Sequence, residues 1–160
     1  MLLAIVIVGL VLSGLTAFPL QAEMQLLTRF LGISQSDSGL AGWLNRVNSG
    51  LQETDAKYPF IAYGTDWLAF AHLVLAVLFI GPYRDPVRNI WVVTFGLIAC
   101  AGIIPLALIC GSIRGIPLGW QAIDCSFRIG CFVPLWIVRE YILTLEAEQK
   151  IRQTAAASVV

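Results

Sequence analysis

The sequence predicts an all-α integral membrane protein: a four-helix bundle with an interfacial amphipathic helix between the first and second spans. Three observations predict it. Of the 160 residues, 58% are hydrophobic and only 12% charged, against about 25% charged in an ordinary soluble domain. Mean hydropathy is +0.82. Charge is also absent from long continuous stretches rather than thinned evenly, as a chain crossing a hydrocarbon layer requires. Ten basic and ten acidic residues cancel, so no electrostatic bias points to nucleic acid. The composition excludes a disordered chain, a DNA-binding domain and a disulfide-built secreted module.

The first span is expected at about 2–22, where no side chain ionises. A cleavable signal peptide is the competing reading. The stretch has no basic residues ahead of its apolar run, and Leu20-Gln21-Ala22 only weakly suggests a cleavage site, so an uncleaved span is preferred. The loop 23–59 follows, and within it Leu40, Trp43, Leu44, Val47 and Leu51 recur at helical spacing. They predict an amphipathic helix over about 38–53, with Asp37 or Ser38 as its cap. It serves either as a surface connector or as a lid over the bundle.

The second span is expected at about 60–81, starting between Pro59 and Asp66, with Thr65 as one possible N-cap. The third covers about 90–111 with no ionisable group; small residues such as Gly96 and Cys100 suit helix packing, and Pro105 predicts a kink. The fourth covers about 118–138 and continues as a helix over 139–153, followed by a frayed tail at 154–160. Glu146–Lys150 and Glu148–Arg152 stand at the i,i+4 spacing that pairs charges on that extension. Each stretch of about 20 residues reaches roughly 30 Å as a helix, the thickness of the hydrocarbon core. The aromatic residues agree. The Trp and Tyr residues lie near span ends or in the first loop, whereas Phe70, Phe79, Phe95, Phe127 and Phe132 lie deeper.

Four spans put both termini and loop 82–89 on one side, here side A, and loops 23–59 and 112–117 on side B. Side A carries Arg84, Arg88, Arg139, Lys150 and Arg152 close to the spans, so both termini are expected in the cytoplasm.

Ionisable groups inside a span are functional candidates by default, because an unpaired charge there costs several kcal/mol. Asp66, His72, Asp124 and Arg128 are those groups. Counted from the side B ends they lie roughly 9–18 Å deep, and Glu23 marks the rim of the same side. All five are candidate ligand-binding residues, with His72 and Asp66 the candidates for a catalytic role. Asp124 and Arg128 share a helix face at i,i+4. They read either as a self-satisfied ion pair locking the helix or as a site where Arg128 holds an anion or polar headgroup. His72 shares a face with Thr65, Ala69 and Ala76 and reads as a packing residue or a working group. It is the only histidine, so neither a bis-His haem site nor a two-His zinc site can form, and no metal or cofactor is expected. Cys100, Cys110, Cys125 and Cys131 include no CxxC pair and read as packing residues. The common nucleotide-binding and hydrolase motifs are absent.

One span, a side B amphipathic insert and three more spans resemble the layout of the EXPERA group, which includes sterol isomerases and sigma-2-type sterol-binding proteins. The likeness covers residues 1–145 in gross order and matches no motif; Arg128 departs from the acid-dominated pocket that the resemblance implies. The leading expectation is a non-enzymatic accessory subunit or binder of a lipid-like ligand. Its partners would be membrane lipids, other membrane subunits or further copies of the chain. An alternative is an enzyme acting on a lipid or sterol-like amphiphile, with His72 as acid/base, Asp66 or Asp124 orienting it and Arg128 holding an anionic headgroup. A small oligomeric transporter is the third reading.

Overall fold

The computed structural model describes residues 1–30 and 39–157. Helices make up 91% of the described residues, and no strand forms among them. The six α-helices are α1 (Leu2–Ala17), α2 (Leu20–Phe30), α3 (Gly39–Lys57), α4 (Ala62–Arg84), α5 (Ile90–Ile113) and α6 (Leu118–Ala157); a short 3-10 turn at Pro59–Ile61 leads into α4. Three segments are long and apolar enough to cross a membrane: Pro59–Arg84, Ile90–Ile113 and Leu118–Ala157. A fourth is added if α1 and α2, bent by 95°, count as one broken span.

That bend corrects the first element. The apolar stretch does not run as one helix to residue 22 but stops at Ala17. Pro19 has no N–H to donate and its ring crowds the carbonyl four residues back, at Leu15. The chain turns through Phe18–Pro19 and restarts as α2, where the Glu23 N–H bonds the Pro19 carbonyl. α2 was not foreseen. It is amphipathic and leaves Leu26 and Phe30 exposed.

Elsewhere the boundaries move in identifiable ways. α3 starts at Gly39, in a positive-φ conformation that glycine adopts without strain, and runs to Lys57, beyond the expected end. Its suggested caps Asp37 and Ser38 lie outside the described residues. Thr65 is not an N-cap: the 3-10 turn starts the helix earlier, and the Thr65 hydroxyl donates to the Ala62 carbonyl (2.7 Å) inside α4. α6 is continuous for 40 residues, so 154–157, expected to fray, are helical. On that extension Lys150 pairs with Glu146 at 2.7 Å, while Glu148 and Arg152 form no ion pair among the described residues.

α1 packs mainly on α4 and α5 mainly on α6, with further contacts from α1 to α6 and from α4 to α5. The four helices thus form two pairs that touch through α1 and α6 and through α4 and α5. Small residues set the spacing of the pairs. A Cβ on Gly14 of α1 would lie 2.9 Å from the Ala69 carbonyl of α4, and one on Gly96 of α5 would lie 2.8 Å from Phe79 and 3.0 Å from Leu135. These helices touch where only hydrogen stands. The continuous core occupies the side A half: Leu3, Val6, Phe79, Val92, Val93, Leu97, Leu135 and Ile142 are buried together. Arg139 donates from Nε to the Thr94 hydroxyl (3.4 Å) at the same end. The Asn89 side chain donates to the Gly81 and Asp85 carbonyls at 3.3 and 2.9 Å, clasping the α4–α5 turn.

The outer surface is apolar. Leu12, Leu68, Val77, Ile98, Ile109, Phe127 and Val133 are all at least half exposed. A water-facing surface of this kind would aggregate, whereas lipid chains cover it without penalty.

Candidate functional site

The helices that close on one another at side A part at side B, leaving a cavity of about 880 Å³. Four helices wall it. α1 contributes residues from Ile5 to Thr16, α4 contributes His72, α5 contributes Ile103 to Arg114, and α6 contributes Gln121 to Pro134. At 1.5 Å per residue the walls run for roughly 17–20 Å along the helices.

The cavity is graded along that length. Toward side B it is lined by Thr16, Arg114, Gln121, Asp124 and Arg128, with Ser13 and His72 next; toward side A it is lined by Ile5, Val6, Leu10, Ile103 and Pro134. Ile5, Leu106 and Phe127 line it and are also largely exposed, so it opens onto the apolar flank. A polar end, an apolar end and a lateral opening fit an amphiphile lying parallel to the helices.

Of the five residues singled out by sequence, three meet here: His72 from α4, and Asp124 and Arg128 from α6. Asp66 and Glu23 do not line this cavity. Asp66 is half-buried on the first turns of α4, and Glu23 is exposed in the first turn of α2. Of the two readings of Asp124 and Arg128, the self-satisfied ion pair does not form. The ion pairs among the described residues are Lys57–Glu53, Arg139–Glu140 and Lys150–Glu146. The i,i+4 spacing places both side chains on one face without requiring contact, and here both face a cavity large enough to hold them apart.

His72 is fixed by one bond: Nδ1 donates to the Leu68 carbonyl at 2.8 Å. A carbonyl only accepts, so the proton lies on Nδ1 in the neutral ring and Nε2 carries a lone pair. Nε2 has no protein partner among the described residues. The small neighbours of His72 behave as their spacing implied, with Ala69 and Ala76 buried.

Two of the lining residues that escaped the sequence reading shape the polar end. Arg114 caps the end of α5 and was placed only in a loop. Gln121 looked like a neutral residue at a span end, yet it is 2% exposed. Its Nε2 donates to the Ile116 carbonyl at 2.7 Å, while Oε1 is buried with no partner. Gly111 makes room for it, since a Cβ there would lie 2.7 Å from the Gln121 Cδ. The signal for Gln121 was the turn Gly115-Ile116-Pro117, which brings α5 and α6 together at Gly111. Pro134 adds another acceptor: lacking an N–H, it leaves the Gly130 carbonyl without its helical donor, and both residues line the cavity.

α3 contributes nothing to this cavity. It packs on α2 and on the 3-10 turn, with the Gln21 side chain donating to the Leu51 carbonyl (3.3 Å). With the α1–α2 corner it frames a separate pocket of about 330 Å³ lined by Phe18, Gln21, Leu51, Asp55 and Tyr58, among others.

No family model, curated protein or solved structure matches the chain. No group of three metal-ligating side chains gathers among the described residues.

Proposed function

We propose that this chain is a multi-pass membrane protein, a four-span bundle with both termini in the cytoplasm, that binds a lipid-like amphiphile between its helices. α1, α4, α5 and α6 are the spans, while α2 and α3 lie at the side B interface. One observation carries the reading. His72, Asp124 and Arg128, from two helices, stand with Arg114 in a single cavity whose opposite end is apolar and open to the flank. Its volume of about 880 Å³ lies within the 300–1,000 Å³ or so typical of small-molecule sites. The ligand's polar group sits near side B, its apolar part runs toward Ile5 and Ile103, and the flank admits it from the bilayer.

Native mass spectrometry of the purified protein tests this. The wild type is expected to retain a mass in the lipid range, and Gly130→Leu is expected to lose it. Gly130 lines the cavity, and a Cβ there meets nothing within 4 Å, so the leucine takes up ligand space without disturbing a contact. A variant that still holds the same adduct at the same occupancy overturns the proposal.

His72 supports a second reading, an enzyme acting on such an amphiphile. The Leu68 carbonyl holds Nδ1–H, which leaves Nε2 as the base. The orienting group is then this carbonyl and not Asp66. His72→Gln separates the two readings: lipid retention with loss of turnover favours the enzyme, and retention with no turnover in either protein favours the binder.

A further inference from the structure

We infer that the cavity takes a phospholipid that carries one net negative charge and hydroxyl donors on its headgroup, with the phosphate on Arg114 and Arg128 and a hydroxyl on Gln121. The inference rests on the amphiphile reading above and names the chemistry of its polar end.

Charge is the first argument. Arg114, Arg128 and Asp124 line the polar end. Two guanidiniums against one carboxylate leave a net charge of +1 with neutral His72. None of the three side chains has a hydrogen bond or an ion pair among the described residues. A zwitterionic headgroup brings no net charge and leaves one cation uncompensated in a poorly solvated site. A monoanionic phosphodiester balances it, and guanidinium donors suit phosphate oxygens.

The second argument is independent of charge. Gln121 is 2% exposed, and its Nε2 is committed to the Ile116 carbonyl at 2.7 Å. Since that carbonyl can only accept, the amide cannot be flipped, and the unpartnered atom is the acceptor Oε1. A buried acceptor without a donor is disfavoured, and a bound group that supplies a donor gains what an aprotic group does not. The Asp124 side chain, three residues further along the same helix, offers only acceptors when ionised. The polar end therefore presents donors for an anion next to acceptors for a hydroxyl. A phosphodiester esterified to a polyol supplies both partners in one headgroup, and its acyl chains follow the apolar wall and leave through the flank.

The probes are phosphatidylglycerol, phosphatidylmethanol and phosphatidylcholine with identical acyl chains, added to the full chain in detergent and read by native mass spectrometry. Phosphatidylmethanol has the same charge as phosphatidylglycerol but no free hydroxyl. Wild type is expected to retain phosphatidylglycerol about tenfold better than phosphatidylmethanol, the scale of one hydrogen bond, and both better than phosphatidylcholine. Gln121→Leu is expected to abolish the difference between the two anionic lipids, and Arg128→Gln to weaken both. Equal retention of the two anionic lipids by wild type overturns the hydroxyl assignment, and phosphatidylcholine retained as well as phosphatidylglycerol overturns the charge assignment. Either result leaves an amphiphile in the cavity. If no lipid is retained, or retention is unchanged by Gly130→Leu, the amphiphile reading itself fails. Glycerophosphoglycerol, the headgroup without chains, is expected not to compete; competition equal to the lipid's would show that the apolar wall is unused and that the ligand is a soluble phosphodiester.

Discussion

The two ends of the same four helices are built on opposite terms. At side A, Phe79, Val92, Val93 and Leu135 interlock around Gly96, and polar contacts are few and paired. At side B, Arg114, Asp124, Arg128 and the Gln121 Oε1 atom go without protein partners around an open volume. No hydrophobic force drives helices together inside lipid, so close packing and paired polar groups must hold them. The closed end supplies that packing, and the open end leaves its polar side chains apart around the cavity.

Substitutions that break this contrast should differ in kind as well as size. The largest effect is expected at the closed end. Phe79→Ala removes the ring that fills the space above Gly96, at a cost of about 3 kcal/mol, read as a lowered midpoint in a denaturant or thermal melt in detergent. Next is Gly96→Val, whose added atoms meet Phe79 and Leu135 at 2.8 and 3.0 Å; overpacking there should destabilise by about 2 kcal/mol. Gly111→Ala probes the packing against Gln121 at the open end. Its methyl meets the Gln121 amide at 2.7 Å and pushes that side chain toward the cavity. Roughly 1 kcal/mol of stability and the preference for phosphatidylglycerol are expected to go together, and loss of stability with the lipid preference intact would contradict the placement of Gln121. Smallest is Lys150→Ala on the extension of α6. Its pair with Glu146 is 2.7 Å long, but the Lys150 side chain is 72% exposed, so a change below about 0.5 kcal/mol is expected.

Sequence alone revealed the helices that periodicity and charge depletion define. The third stretch is nearly the helix α5 itself, and the fourth was rightly extended beyond the apolar region. It missed what depends on a single backbone event. Pro19 lies inside an uninterrupted apolar run, and composition does not distinguish a proline that a helix absorbs, such as Pro105 within α5, from one that turns the chain by 95°. The site was half readable. Ionisable residues in spans stand out, so His72, Asp124 and Arg128 could be named and their common level inferred. Which of them share a wall depends on rotation about each helix axis, and for that reason Asp66, about 120° around the α4 axis from His72, was grouped with them. Gln121 carries no charge and gives no such signal; its importance comes from Gly111 across the turn.

The corner at Pro19 also has a mechanical consequence. α1 has 16 residues and α5 has 24, so they are about 24 and 36 Å long. In the four-span arrangement proposed above, no flat bilayer matches both. The surrounding lipid must thin beside α1 or the longer helices must lean, at a cost of a fraction of a kcal/mol per ångström. Because α1 forms one wall of the cavity over most of its length, leaning of its neighbours changes the width of the lateral opening. Acyl-chain length in the surrounding membrane would thereby act on that opening, through one proline that does not line the cavity.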